Sequence, residues 1–336
     1  MALTRKTRAV VEPTNVDDAA GVEADVSIDA LALRPRGFPW PFRRLTWRGQ
    51  ERLAGYVLVA PALLMFATFL LGPLVYGAYL SLTDRNLLSD TSFIWFENYA
   101  NLPSDPLFFK SLQFTGLLFL EVTPLAILIS FVFASLLNQR LRGTSLFRLA
   151  YFLPLVASGV AVATMWRFVF TSDGLFNTFL SLFVDVNTPY LVLPRWAPHV
   201  VAVILLWSLI PLNTVFYMAA LQTVPREQLD AAIVDGASAW QKARYVTWPL
   251  SAPTTFLLVI LNLAITSVGS WDILNVLTGG GPEFSTTTTA YLLYLRAFRG
   301  QFEIGFGSAM GVALTAILLL LTVGVFKAQK RWSHYG

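Results

Sequence analysis

Six long apolar stretches alternate with short polar connectors along this chain. Residues 53–83, 149–166, 196–225, 245–271 and 304–326 contain no Asp, Glu, Lys or Arg, and 111–139 contains one, Glu121. A helix needs roughly 20 mostly apolar residues to cross a bilayer. These runs are continuous rather than alternating, so they predict helices and not the strands of a closed barrel. The expectation is an all-α polytopic membrane protein with six transmembrane helices, near 54–82, 112–137, 149–170, 198–222, 249–271 and 304–326. Pro61, Gly72 and Pro73 in the first span and Pro154 in the third are candidate kinks. A membrane helix tolerates these where neighbours satisfy the freed backbone groups.

Of the connectors, 223–253 is the most structured by pattern. Pro225 suits the first turn of a helix, where its missing N–H is not needed. Leu229, Ala232 and Ile233 then recur at helical spacing. Gly236 permits a left-handed turn. A second short helix with Trp240 and Val246 follows, and Pro249 marks the return into the membrane. Two short helices held in water serve either as a plain connector or as a handle for a partner. The 272–303 connector opens on Thr278-Gly279-Gly280-Gly281-Pro282, a flexible break that cannot continue a helix.

Composition agrees with the span pattern. Of 336 residues, 55% are hydrophobic and 13% charged, against about 25% charged in ordinary globular chains. The chain has no Cys, which excludes disulfides and thiolate metal sites. Its histidines are His199 and His334, and neither has a ligand-spaced neighbour. The net charge of +4 requires no nucleic acid, because Lys and Arg beside spans set topology. Fifteen of them lie in 34–52, 140–148, 226–244 and 327–331. The opposite side has Arg85, Lys110, Arg195, Arg296 and Arg299, with Arg167 at a span edge. That bias predicts a cell-membrane protein with both termini and the 223–253 segment in the cytoplasm. Residues 1–48 read as a cytoplasmic tail, with a polar, acidic and disorder-prone stretch at 1–33, and residues 49–336 as the transmembrane domain.

Polar side chains inside a membrane usually face the bundle interior or a water-filled path. The fourth span offers Trp207, Asn213 and Tyr217, the last two sharing one helix face. The fifth offers Asn262, Thr266, Ser267, Ser270, Trp271, Asp272 and Asn275. Ser and Thr often bond back to their own helix, whereas an amide is harder to satisfy locally. Glu121 is the sole acid well inside a span. A charge at a helix centre costs about 2.5–3.5 kcal/mol, so Glu121 must be protonated, paired or wet. The chain has no phosphate-binding G-x-x-x-x-G-K-[ST] and no Ser/His/Asp arrangement, so it carries no catalytic machinery of its own.

Asp230-Ala231-Ala232, three residues, Gly236, nine residues, Val246, one residue and Trp248-Pro249 resemble the "EAA" loop of ATP-binding-cassette importer permeases. Asp stands for the family's Glu, and Val-x-Trp for its Ile-x-Leu. The likeness extends to the sugar permeases similar to the longer maltose-system subunit. It rests there on Leu137-Asn138, Gly143, Phe147-Arg148, Phe152-Leu153-Pro154, Trp166, Asp173-Gly174, Asn177, Gly280-Gly281-Pro282, Tyr294 and Ala297-Phe298. The resemblance implies a type I importer permease fold with no cofactor in this chain. Leu229, Asp230, Ala231, Ala232, Asp235, Gly236, Ala237 and Trp240 would engage an ATPase subunit. Asn213, Tyr217, Asn262, Ser267, Ser270, Trp271 and Asp272 would line the substrate path. Partners would be a second permease, two ATPase subunits that bind ATP and Mg, an extracytoplasmic solute-binding protein and the bilayer. A stand-alone ion-coupled transporter, using Glu121 and Asp272, is the competing expectation.

Overall fold

The structure, a computed structural model, describes residues 47–86, 91–138, 151–184, 188–300 and 302–332. The expectations for the tail before Trp47 and for the turn at 139–150 therefore lie outside the described residues. The chain divides into Met1–Phe66 and Ala67–Gly336. The first unit contributes α1 (Trp47–Phe66), which continues through Pro61 without a break. The second opens with a π-helical turn at Ala67–Leu71 and α2 (Gly72–Leu80). The wide turn sits directly before Gly72-Pro73, where a proline cannot supply its N–H to the ladder.

Four long helices of the second unit follow the predicted spans: α3 (Pro106–Leu137), α5 (Ala197–Gln222), α8 (Ala252–Ala264, extended by a π turn at Ile265–Gly269) and α11 (Ile304–Trp332). Among the described residues five helices are long and apolar enough to cross a membrane, the first being Ala54–Leu80. The third predicted span is the exception. Its described part is a helical stretch at 151–156, a break at Ala157 and Ser158, and α4 (Gly159–Phe170). Ser158 is extended, with ψ 147, and its hydroxyl accepts the Ala161 amide at 3.3 Å. This is an N-cap inside an apolar run, which hydropathy does not register because Ala-Ser-Gly carries no charge.

Helices α3 and α5 form the centre, joined by α4 and α9 (Trp271–Leu277). Leu118, Val122 and Ala126 of α3 meet Val201, Ile204 and Leu205 of α5, with Ala163 of α4 and Leu274 of α9 beside them. Lipid tails are as apolar as leucine, so this core is held by close packing rather than by escape from water. Small residues permit the approach: a Cβ on Gly159 would come within 3.0 Å of the Asp272 Cβ. Ser130 Oγ donates to the Ile210 carbonyl at 2.9 Å and sets the register of α3 on α5. The hydroxyls of Tyr217 and Thr255, 2.8 Å apart, set that of α5 on α8.

The Gly-Gly-Gly-Pro segment ends α9 as expected, but it is not an open tether. Thr286, Thr287, Thr288 and Thr289 are buried. The Thr287 hydroxyl donates to the Gly280 carbonyl at 2.7 Å, and that of Thr286 to Gly281 at 2.6 Å. Thr288 then caps α10 (Thr289–Tyr294).

Candidate functional site

Two regions bring the sequence-predicted residues together. The first is the connector between α5 and α8. Arg226–Val234 forms α6 and Ala239–Lys242 forms α7. Between them Gly236 adopts φ +75. Its N–H bonds the Ile233 carbonyl at 3.0 Å, and that of Ala237 bonds Ala232 at 2.9 Å. This pair of bonds closes the end of α6 in the left-handed manner that glycine makes cheap. Ser238 then starts α7 with a reciprocal cap: its hydroxyl accepts the Gln241 amide at 3.3 Å, and Gln241 Oε1 accepts the Ser238 amide at 2.7 Å. The elbow is thus hydrogen-bonded at both of its helix ends.

Its surface is another matter. Leu229 and Ala232 are half-buried, so they shape the elbow from within. Asp230, Ala231, Asp235 and Gly236 are exposed, and Ala237 is half-buried. Ile233, Val234, Trp240 and Tyr245 are also exposed, Val234 at 86% and Trp240 at 70%. Four large apolar side chains in an otherwise polar connector are what a docking face requires. Val234 and Tyr245 escape a reading by motif, because they fall outside the matched positions.

The second region is a polar layer inside the bundle. Asn213 and Asn262 are fully buried, and none of their four amide atoms has a hydrogen-bond partner among the described residues. The hydroxyls of Ser267 and Thr123 share that condition. The contact between Tyr217 and Thr255 relates the amides in space. Asn213 lies four residues, roughly 6 Å, along α5 from Tyr217, and Asn262 lies seven residues, roughly 10.5 Å, along α8 from Thr255. Both steps keep to one helix face, so the two amides fall within about one turn of each other in depth. Ser267 stands in the π turn at Ile265–Gly269, a wide turn of a kind frequent at functional sites. An unpartnered buried polar group costs about 1–3 kcal/mol.

Other predicted residues have different surroundings. The Tyr217 hydroxyl is committed to Thr255, and Ser270 Oγ donates to the Thr266 carbonyl at 3.1 Å. Trp271 meets Tyr294 edge-on, with ring centroids 5.3 Å apart. Asp272 is exposed. Glu121 is neither isolated nor deeply buried: its Oε1 lies 2.9 Å from Nδ1 of His199, a residue 78 positions away that sequence reading set aside. No local pattern links the two. Also missed was an ion-paired staple at the end of the bundle away from the elbow. There Arg296 reaches Asp105 at 2.6 Å and Glu303 at 3.0 Å, beside a cleft of about 680 Å³. Asp105 also caps α3 through the Leu107 and Phe108 amides, so the staple binds loop ends together. No group of three or more His, Cys, Asp or Glu among the described residues is placed to hold a metal.

Residues 123–333 match the family described as "Binding-protein-dependent transport system inner membrane component". The chain is 33% identical over 285 residues to a "Probable ABC transporter permease protein" of Pyrococcus horikoshii, covering 83% of this chain and 95% of that one. It is 31% identical to the lactose transport system permease protein LacF of Rhizobium radiobacter, covering 82% and 94%. Its fold matches a chain of a bacterial alginate ABC transporter, solved in complex with an alginate pentasaccharide-bound periplasmic protein. The TM-score is 0.75 at 19% identity, over 86% of this chain and 99% of that one.

Proposed function

The chain belongs to the family of binding-protein-dependent transport system inner membrane components, and on that premise we propose that it is the permease subunit of an ATP-driven importer for a carbohydrate. A second permease would complete the pathway. Two ATPase subunits would hold ATP and Mg, and an extracytoplasmic binding protein would deliver the solute. The excess of Lys and Arg beside the elbow and the termini supports a cytoplasmic position for both.

The observation that carries this reading is the elbow: closed by hydrogen bonds at its turn, yet presenting Ile233, Val234, Trp240 and Tyr245 to solvent. Each ATPase subunit would take one elbow, and closure of the ATPases on ATP would pull the elbows together. Leu229 and Ala232 hold α6 in place, while the exposed set makes the contact. The unpartnered amides of Asn213 and Asn262 and the Ser267 hydroxyl would become solute contacts when the bundle opens. Tyr217 and Ser270 hold the wall of the path, and Trp271 and Asp272 lie at its outer end. The Asn213 and Asn262 amides and the Ser267 hydroxyl are uncharged, which suits a neutral hydroxylated solute better than an anion. The ion-coupled alternative would make Glu121 and His199 a relay, whereas the family's transport systems are binding-protein-dependent.

The test is reconstitution in proteoliposomes. Uptake of radiolabelled saccharide should require both permeases, the ATPases, ATP and the binding protein. Accumulation by this chain alone, driven by a proton or sodium gradient, would remove the reading.

A further inference from the structure

An aromatic row runs along α9, α10 and the π turn at Leu295–Arg299. Tyr294 is its hub. It stacks on Tyr291 at 6.1 Å, meets Trp271 edge-on, leans on Phe298 at 6.0 Å and lies under the Arg299 guanidinium at 5.9 Å. Phe298 is 58% exposed, and Trp271 is half-buried. An exposed ring row near a membrane surface is ordinarily an anchor for lipid headgroups. The polar atoms beside this one point elsewhere.

The Tyr291 hydroxyl donates to Asn275 Oδ1 at 2.9 Å, which orients that amide. Asn275 Nδ2 is left without a hydrogen bond among the described residues, and unlike the amides of Asn213 and Asn262 it is not buried. Asp272 is exposed, and its carboxylate forms no ion pair or hydrogen bond among the described residues. Trp271 and Asn275 are four apart on α9, and Asp272 and Asn275 three apart, so the Asn275 amide lies between the ring and the carboxylate on the helix surface. Apolar rings beside a few convergent donors and acceptors are the chemistry of a saccharide site.

We propose that Trp271, Phe298, Asn275 and Asp272 form an entry subsite that stacks one sugar unit of an oligosaccharide, with Tyr291 and Tyr294 as positioning residues. The inference rests on the carbohydrate reading above. It adds a second contact zone at the end of the bundle remote from the elbow, where a delivered chain arrives first. A monosaccharide, held wholly by the buried polar layer, has little use for it. A longer chain spans both.

The experiment uses the complete importer in proteoliposomes with radiolabelled gluco-oligosaccharides from one to five units. Phe298 is exposed, so Phe298→Ala leaves the fold intact. It is expected to lower uptake of the longest accepted saccharide about tenfold and that of the monosaccharide less than twofold. Phe298→Trp should restore the wild-type profile, and Asn275→Leu should repeat the selective loss. Equal losses at every length, or none, would overturn the subsite and leave the carbohydrate reading standing. If the wild-type importer moves no saccharide of any length, both fall together.

Discussion

The elbow between α5 and α8 and the polar layer inside the bundle are incomplete in opposite ways. The elbow caps its helix ends with internal hydrogen bonds but leaves Val234 and Trp240 uncovered. The layer is wholly covered, but the Asn213 and Asn262 amides have no hydrogen-bond partner among the described residues. A missing apolar cover is supplied by a packed protein surface. A missing set of donors and acceptors is what a hydroxylated solute would supply. The two defects therefore point to two different kinds of partner, one at each end of the transport cycle.

The largest expected effect tests the elbow. Aromatic anchors buried in an interface contribute about 2 kcal/mol or more, roughly 30-fold in affinity. Trp240→Ala combined with Val234→Asp should abolish copurification of the ATPase subunits and ATP-dependent uptake, while the permease still inserts. Full copurification would show that these side chains face something else. The layer should respond with the opposite sign in stability. Asn213→Leu or Asn262→Leu removes an unpartnered amide at similar volume, so the melting temperature should hold or rise. Uptake should nonetheless fall about tenfold or more. A clear drop in melting temperature would mean that the amides have structural partners, and the contrast between the regions would collapse.

How far each region could be read from sequence follows from what each needs. The elbow is local: Pro225, Gly236 and Pro249 punctuate it within thirty residues. Its turn and its exposure were legible from that spacing. Four predicted spans of the second unit correspond to long helices because a long apolar run is itself a local signal. The break at Ser158 was hidden, since an N-cap serine between Ala157 and Gly159 leaves no mark in a hydropathy pattern. The pairing of Glu121 with His199, and the staple of Arg296 on Asp105, join residues 78 and 191 positions apart. Their partners follow only from helix packing. In the layer, residue type singled out the amides, but no pattern could separate Asn262, left unpaired, from Tyr217, satisfied by Thr255.

A smaller effect sharpens the claim that the elbow transmits force as well as binds. Nothing lies within 4 Å of where a Cβ on Gly236 would sit, so a side chain there meets only the strain of φ +75. That strain is about 1–2 kcal/mol for an L-residue. Gly236→Ala should therefore reduce uptake several-fold while the ATPase subunits still copurify. Gly236→Asn, which tolerates the left-handed region, should lose less. Loss of copurification in Gly236→Ala would show that the turn carries the contact itself.

The smallest effect belongs to a segment that needs neither partner. In the loop after α2, the Ser92 hydroxyl donates to Asp84 Oδ2 at 2.5 Å and the Ser92 amide to Oδ1 at 2.6 Å. Those bonds, the hydroxyl first, hold the Asp84 carboxyl below its ordinary value of 3.8. A carboxylate favoured by the folded state adds stability that is present above the ordinary value and lost as pH falls through the lower, folded value. Hydrogen exchange at the Ser92 amide should thus show unchanged protection from neutral pH to about 4 and weaken only below that. Asp84→Asn should reduce the protection a few-fold at neutral pH and leave uptake untouched. Protection lost between pH 7 and 5 would contradict the lowered carboxyl. A change in this loop on adding ATP or saccharide would contradict its independence of the elbow, the layer and the entry subsite.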